Sequence, residues 1–316
     1  MDFALKEQRR PLRLPSNTWL IFAAAVFAFG VTFAVLCFNE IRAQEQRLAA
    51  LDSQARFAII TVDTKIAIEL QQLRDLAESD SFRRNEFEKF HGEARLFAER
   101  TRRQVVLHDV RNNTQIFNTA YPPGANLHEG ARFAQPGELS RVRANEPYIS
   151  SLFYAPLAQK NLIAVAVPVT EGGNVRYLLG VAIDPLEILA AVRDATLVRG
   201  TVTSIVDRSG VILARSEKND SHAGRKAPTN TAERPEPSGR FKGKTFDGAP
   251  VNLSYLRSDL TGWTAVSYEH DRGDSLWPHV AGLIAALAAV VLSLLFIAVS
   301  SLRARRRDMA DPEESA

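Results

Sequence analysis

The sequence predicts an α+β protein in which two transmembrane helices flank a long N-terminal helix and two tandem antiparallel-sheet modules. Three observations support this prediction. Two apolar runs without charge lie near the two ends of the chain, and a long stretch with helical spacing follows the first run. After that stretch, short apolar segments separated by turn residues occur in a similar order twice. The 316-residue chain is 46% hydrophobic, which is enough for a sizeable core.

Each apolar run is long enough to cross a bilayer. Trp19–Phe38 contains no charged residue, and Val280–Val299 contains one serine and no charge. A helix of about 20 residues spans about 30 Å, the thickness of the hydrocarbon core. Trp19 and Trp277 lie near the ends of the runs, where interfacial tryptophan is common. We therefore predict transmembrane helices at residues 19–38 and 277–302.

Basic residues beside the two runs predict the orientation in the membrane. Four precede the first run and four follow the second, whereas three lie close to the runs on the side of the loop between them. The residues before the first run are Lys6, Arg9, Arg10 and Arg13, and those after the second are Arg303, Arg305, Arg306 and Arg307. The residues on the loop side are Arg42, Arg47 and Arg272. The positive-inside rule places the arm 1–18 and the tail 303–316 in the cytoplasm and residues 39–276 outside it. No small-x-small cleavage site follows the first run, so we expect an uncleaved signal anchor.

Residues 39–102 are predicted to be helical. Apolar residues recur every three, four or seven positions from Asn39 to about Ser79, without proline or glycine: Ile41, Leu48, Leu51, Ala55, Ala58, Val62, Ile66, Leu73 and Leu76. This stripe fits a helix that packs along its own domain, and it fits equally well a dimer seam near the membrane. Phe82, Phe87, Phe90 and Phe97 then indicate a second amphipathic helix through Glu99.

Residues 103–199 are predicted to form a module distal from the membrane. The segments 104–109 and 115–119 flank the turn 111–113 and predict a hairpin. Strands follow at 148–154, 162–169 and 176–183. A helix is expected at 186–195, with Asp184 suited to cap its N-terminus.

Residues 200–276 are predicted to repeat this order as a shorter, membrane-proximal module. The segments 203–207 and 211–215 echo the first hairpin, and strands are expected at 239–245, 250–256 and 263–268. The polar stretch 215–240 between them is predicted to be an exposed loop.

Several classes of function have no support in the sequence. The net charge is only +3, and no basic stripe interleaved with aromatic residues indicates nucleic-acid binding. The six histidines show no metal-ligand spacing, and no nucleophile elbow, phosphate-binding glycine loop or kinase signature is present. Cys37 is the single cysteine, so no intrachain disulfide can form. We therefore expect no enzyme activity, no catalytic residues, no metal and no cofactor.

The order of these segments resembles a known family. A signal anchor, a long helix, two consecutive PAS-like modules and a returning span are similar to the double Cache sensor region of bacterial transmembrane receptors such as sensor histidine kinases. The resemblance rests on Val106–Asp109, Ile163–Val169, Gly180–Asp184, Ile205–Gly210 and Leu260–Val266. It implies a two-pass protein of the bacterial inner membrane with residues 39–276 in the periplasm. It also implies signal transduction by ligand binding.

The resemblance implies that a small molecule binds in the distal module. Amine-binding members carry an arginine and a tryptophan close together before the central strands and an aspartate that ends the last strand. Asp184 matches that aspartate, whereas the stretch 145–154 contains two tyrosines and no tryptophan. A carboxylate or another polar ligand is therefore as compatible as an amino acid. The residues expected to bind it are Tyr148, Tyr154, Arg132, His128 and Asp184.

Receptors of this family continue into a cytoplasmic output domain, whereas only fourteen residues follow Leu302 here. The output is therefore expected in a partner that the transmembrane helices contact, either in a homodimer or in a separately encoded signalling protein. The alternative is a periplasmic scaffold held by the membrane, or the remnant of a truncated receptor, that binds no small molecule.

Overall fold

The computed structural model describes residues 16–112, 114–125, 127, 142, 146–156, 158–271, 273 and 276–310. The chain divides into two compact units, one formed by Met1–Arg47 together with Gly273–Ala316 and the other by Leu48–Arg272. We call them the membrane unit and the sensor unit, after the predictions made from the sequence.

Two helices form the membrane unit: the first part of α1, which runs without a break from Ser16 to Ala77, and α6 (Leu276–Ala310). Both contain segments long and apolar enough to cross a membrane. Two glycines allow the helices to approach closely. A Cβ atom on Gly282 would lie 2.8 Å from the Phe33 ring, and one on Gly30 would lie 3.0 Å from Val290. Small residues at such positions are a common way to pack helices in lipid.

The sensor unit begins with the remainder of α1, whose buried side chains recur every three or four residues. They are Leu51, Ala55, Ala58, Val62, Ile66, Leu70 and Leu73, each at most 1% exposed. The short helix α2 (Asp80–Arg83) follows, and then α3 (Phe87–Thr101). Phe90 and Phe97 are buried as the amphipathic pattern predicts, while Phe82 belongs to α2.

Two antiparallel sheets follow the helices. The distal sheet has the order β2-β1-β6-β5-β3, and β4 also pairs with β5. Its strands are β1 (Val105–Asp109), β2 (Thr114–Asn118), β3 (Tyr148–Ile149), β4 (Phe153–Ala155), β5 (Lys160–Glu171) and β6 (Asn174–Ile183). Helix α4 (Pro185–Ala195) follows β6 and packs on strands β7 and β8 of the proximal sheet.

The proximal sheet has the order β8-β7-β11-β10-β9. Its strands are β7 (Thr201–Val206), β8 (Ile212–Arg215), β9 (Ser238–Lys244), β10 (Pro250–Arg257) and β11 (Thr264–His270). The short helix α5 (Asn219–His222) lies between β8 and β9. The predicted hairpins and strands are thus present, and the predicted 148–154 strand is split into β3 and β4.

One face of each sheet packs on the helices, and we call the opposite face the outer face. Val105 and Leu107 of the distal sheet and Ile205 and Ala265 of the proximal sheet belong to one core with α1 and α3. Side chains alternate between the faces of a strand, so residues between these positions lie on the outer faces. Val106, for example, packs in a separate cluster with Leu178.

The segment 215–240 is largely an exposed loop, as its composition predicts, but some of its residues are buried and part of it is held against the proximal sheet. Thr231 is fully buried, and Val211 forms an isolated bridge with Lys226. The guanidinium group of Arg257 donates hydrogen bonds of 2.7–3.1 Å to the carbonyl oxygens of Thr231, Ala232 and Arg234. A polar segment can be held in this way because a side chain satisfies its backbone carbonyls. We call residues 216–237 the cover segment.

Arg103 joins three parts of the sensor unit. Its guanidinium group donates to Glu69 of α1 at 2.8 Å and also contacts Glu187 of α4. The side chains of Arg103 and Glu69 are only 17% and 14% exposed. Removal of the arginine would therefore leave a largely buried carboxylate without its counter-charge.

We predict that Arg103→Met lowers the free energy of unfolding by about 3 kcal/mol, because a buried ion pair is broken from one side. Arg95→Met is the matched control, since Arg95 and Glu99 form an ion pair in which both side chains are 62% exposed. Its effect should be below about 0.5 kcal/mol. Denaturant unfolding of the full chain in detergent measures both, and equal losses would contradict the assigned role of Arg103.

Candidate ligand-binding site on the distal sheet

The outer face of the distal sheet has small side chains in its middle. Tyr148, Ala166, Gly180 and Val106 are successive register partners across β3, β5, β6 and β1. Because neighbouring strands lie about 4.8 Å apart, the Cα atoms of Tyr148 and Val106 are about 14 Å apart. The two positions between them carry a methyl group and a hydrogen atom. This row forms the floor of the candidate site.

Polar groups lie at the β1–β2 side of this floor. His108 is fully buried and, two residues after Val106 on β1, lies on the same outer face. Gln115 is its register partner on β2. The side-chain oxygen of Gln115 is buried and accepts no hydrogen bond from the residues that the structure describes. A buried acceptor without a donor is costly, so a donor supplied by a ligand would stabilise this arrangement.

Tyr148 lies at the opposite side of the floor. It is 7% exposed and packs with Val106, Ala164, Ala166 and Leu178. The predicted site residue Tyr148 is therefore on the same face as His108. Sequence reasoning did not select His108 as a site residue. Its place in a strand, two residues after a valine of the outer face, was the signal that could have identified it.

The other predicted site residues have different surroundings. Tyr154 of β4 is 60% exposed. Arg132 and His128 lie outside the described residues. Val142, a described residue between β2 and β3, packs against the outer-face cluster.

Asp184 has a structural role in the described chain. Its Oδ1 atom accepts a hydrogen bond of 3.0 Å from the backbone N–H of Leu186 and caps α4. Its Oδ2 atom accepts one of 2.8 Å from the Nζ atom of Lys160 on β5. Burial by itself raises the pKa of this carboxyl group, but the bonds from Lys160 and Leu186 outweigh that effect. The pKa of Asp184 is therefore lower than its ordinary value of 3.8.

The described residues contain no group of three or more His, Cys, Asp or Glu side chains that could hold a metal ion. The outer face of the distal sheet instead carries hydrogen-bonding side chains beside small apolar residues. Such a surface can orient a small polar molecule.

Comparison with solved structures shows the fold. The ligand-binding domain of the Pseudomonas fluorescens chemoreceptor CtaA, in complex with L-serine, matches 73% of this chain over its whole length, with a TM-score of 0.53 and 11% identity. That of the Pseudomonas aeruginosa chemoreceptor PctC, in complex with GABA, also matches 73% over its whole length, with a TM-score of 0.50 and 12% identity. The extracellular domain of the candidate histidine kinase rpHK1S-Z16 covers 74% of this chain and 96% of its own length, with a TM-score of 0.50 and 13% identity.

The sensor unit has the double Cache fold. This confirms the resemblance inferred from the sequence to the extracellular ligand-binding domains of histidine kinases and chemoreceptors. At sequence identities of 11–13%, the match shows the fold but does not indicate which ligand this chain binds. No protein-family model and no curated protein matches the chain.

We predict that Asp184→Ala lowers the free energy of unfolding by about 1 kcal/mol at pH 7, whereas Asp184→Asn, which can still cap, loses less. The folded-state pKa of Asp184 is lowered. Its carboxylate therefore stabilises the fold fully above about pH 5, and this contribution is lost as the pH falls through the folded-state pKa. Denaturant unfolding at pH 7 and at about pH 3 should show that Asp184→Ala costs less at the lower pH.

Asp194→Ala is the control, because Asp194 is exposed in the last turn of the same helix. Its effect should stay within about 0.5 kcal/mol at both pH values. A loss of the same size for Asp194→Ala, or one for Asp184→Ala that does not change with pH, would contradict the capping role.

Proposed function

We propose that this chain is a membrane-anchored, extracytoplasmic sensor that binds a small polar molecule in its distal module and passes the signal to a partner. The observation that carries the proposal is the double Cache fold of the sensor unit. Solved structures of this fold are named as extracellular or ligand-binding domains of receptors. Two helices of membrane-crossing length, at either end of the sensor unit in the sequence, support the anchored form.

The proposed ligand carries an amine, a carboxylate or both. Tyr148 and His108 can donate hydrogen bonds to a carboxylate, and the unsatisfied oxygen of Gln115 can accept one from an ammonium group. GABA and L-serine, the ligands named for the PctC and CtaA domains, have both groups. Tyr154, Arg132, His128 and Asp184 stay predicted ligand residues, and Asp184 would act in addition to its capping role.

The proposed location is the bacterial inner membrane, with both termini in the cytoplasm and residues 39–276 in the periplasm. The apolar side chains on the outside of the membrane unit support it. Phe29, Leu36 and Leu292 are 61–73% exposed, which is favourable only in contact with lipid or another apolar surface.

A second copy of the chain, or a separately encoded signalling protein, is the proposed partner. Phe57, Ile60 and Ile68 are 51–54% exposed and lie three and eight residues apart on α1. They lie between the positions of the buried stripe, on the side of α1 that faces away from the core. An apolar stripe of this kind supports a helix-to-helix seam between two copies.

The full chain in detergent can be melted in the presence of each member of a panel of amino acids and small carboxylates. We expect one class of compound to raise the melting temperature. A ligand at about 100 times its Kd stabilises a protein by about 2.7 kcal/mol. Tyr148→Phe should weaken that compound about tenfold, the cost of one hydrogen bond. Tyr255→Phe, on the proximal sheet, should have no effect. A panel without any shift would favour a periplasmic scaffold that binds no small molecule.

A cysteine placed at the exposed position Ser238 should react with a membrane-impermeant maleimide in intact spheroplasts, in a Cys37→Ser background. A cysteine at Ser315 of the tail should react only after permeabilisation, because the predicted orientation places the tail in the cytoplasm. Labelling of the tail but not of position 238 in intact spheroplasts would contradict the proposed topology.

A further inference from the structure

A cavity in the proximal module has the features of a second ligand site. It lies between the outer face of the proximal sheet and residues 227–229 of the cover segment. Its empty volume is about 430 Å³ including an open mouth, and water molecules can occupy about 40 Å³ of it. The space therefore suits a very small solute.

The cavity contains a buried cation. Arg215, the last residue of β8, lines the cavity and is only 9% exposed. Its Nε atom donates to the carbonyl oxygen of Glu217 at 2.9 Å, and its Nη2 atom donates to the hydroxyl group of Tyr268. Among the described residues, no carboxylate lies within ion-pair distance of this guanidinium group, and its Nη1 atom makes no hydrogen bond. A guanidinium group buried without an anion is costly, and an anion in the cavity would offset that cost.

Two hydroxyl groups lie beside the guanidinium group. Ser204 is the register partner of Arg215 on β7, it lines the cavity, and its hydroxyl group makes no hydrogen bond to the described residues. Burial raises the pKa of Tyr268, Arg215 lowers it, and the exposed carboxylates of Glu217 and Asp247 raise it. The net pKa lies above the ordinary value of 10. The phenol is therefore neutral at pH 7, and it accepts from Arg215 while its own proton is available to donate.

The remaining walls are mostly aliphatic. The cavity is lined by Val206, Ile212, Val251, Leu253, Ala227 and Pro228, and Thr229, Lys244 and Thr245 add polar groups to the lining. An anion whose body is apolar matches this lining better than phosphate or sulfate, whose oxygen atoms all need donors. A carboxylate accepts two parallel hydrogen bonds from an arginine, and a chain of one or two carbons fits the small volume.

We propose that the proximal module binds a short-chain aliphatic monocarboxylate, with Arg215 as its anchor and Ser204 and Tyr268 as further donors. This site is separate from the proposed distal site, because it lies on the other sheet. It gives the protein a second input close in sequence to the second apolar helix.

The test is calorimetric titration of the full chain in detergent with sodium propionate at constant ionic strength. Saturable binding is expected for propionate and not for propionamide, its neutral counterpart. Arg215→Gln should raise the Kd at least about tenfold, because charge-assisted hydrogen bonds are lost. Arg225→Gln is the control, since Arg225 is an exposed arginine of the same cover segment that stacks on Phe246. It should bind propionate like the wild type.

A second variant keeps the cation and fills the cavity. Ala227→Leu adds three carbon atoms at the cavity wall and should abolish propionate binding. If Arg215→Gln does not melt cooperatively and is therefore not folded, the Ala227→Leu variant tests the proposal instead. Propionate binding that is retained in Ala227→Leu would then overturn the proposal. An absence of saturable binding to the wild type, or unchanged binding in a folded Arg215→Gln variant, would overturn it as well.

The Tyr148→Phe variant distinguishes the distal site from the proximal site. This variant should leave propionate binding unchanged while it weakens the ligand found in the panel. Propionate binding that depends on Tyr148 and not on Arg215 would assign the carboxylate to the distal module and overturn the proximal site. The two proposals therefore fail by different results.

Discussion

The sensor unit depends on the buried stripe of α1. Seven of its side chains, from Ala55 to Leu73, lie in the core with the inner faces of both sheets. The two sheets share no strand, and they are joined in one core by their contacts with this stripe. The inner side chains of each sheet are therefore fixed by the need to match the helix. The outer faces are free to differ, and the two candidate sites lie there.

Polar contacts also set the position of α1 against the proximal module. Asp52 of α1 accepts hydrogen bonds of 2.6 Å from Ser254 and 3.0 Å from Arg240, and Asp63 accepts one of 2.7 Å from Ser258. All three partners belong to the proximal module. These carboxylates add directional contacts that fix the position of α1 against the proximal sheet. The distal module meets the same helix mainly through apolar contacts and through Glu69 with Arg103.

The parts of the structure that depend on local spacing could be predicted from the sequence. The helices, both hairpins and the cap of α4 follow from periodicity, turn residues and the Asp184-Pro185 pair, since each involves neighbours in the chain. The candidate sites could not be predicted in the same way. His108 and Tyr148 lie on one face only because four strands pair in a register that joins distant segments. The cover segment is largely exposed, as its polar composition predicts, but its attachment could not be predicted because a distant residue, Arg257, supplies the donors that hold it.

Helix α4 gives the fold a mechanical link between its two halves. It continues directly from β6, a central strand of the distal sheet, and its first turn is tied to β5 through Lys160. Its other side rests on β7 and β8, and β8 ends at Arg215. A change in the twist of the distal strands would therefore be transmitted through α4 to the proximal sheet. The occupancy of one half would then alter the shape that the other half presents to its own ligand, so the two inputs would be energetically coupled.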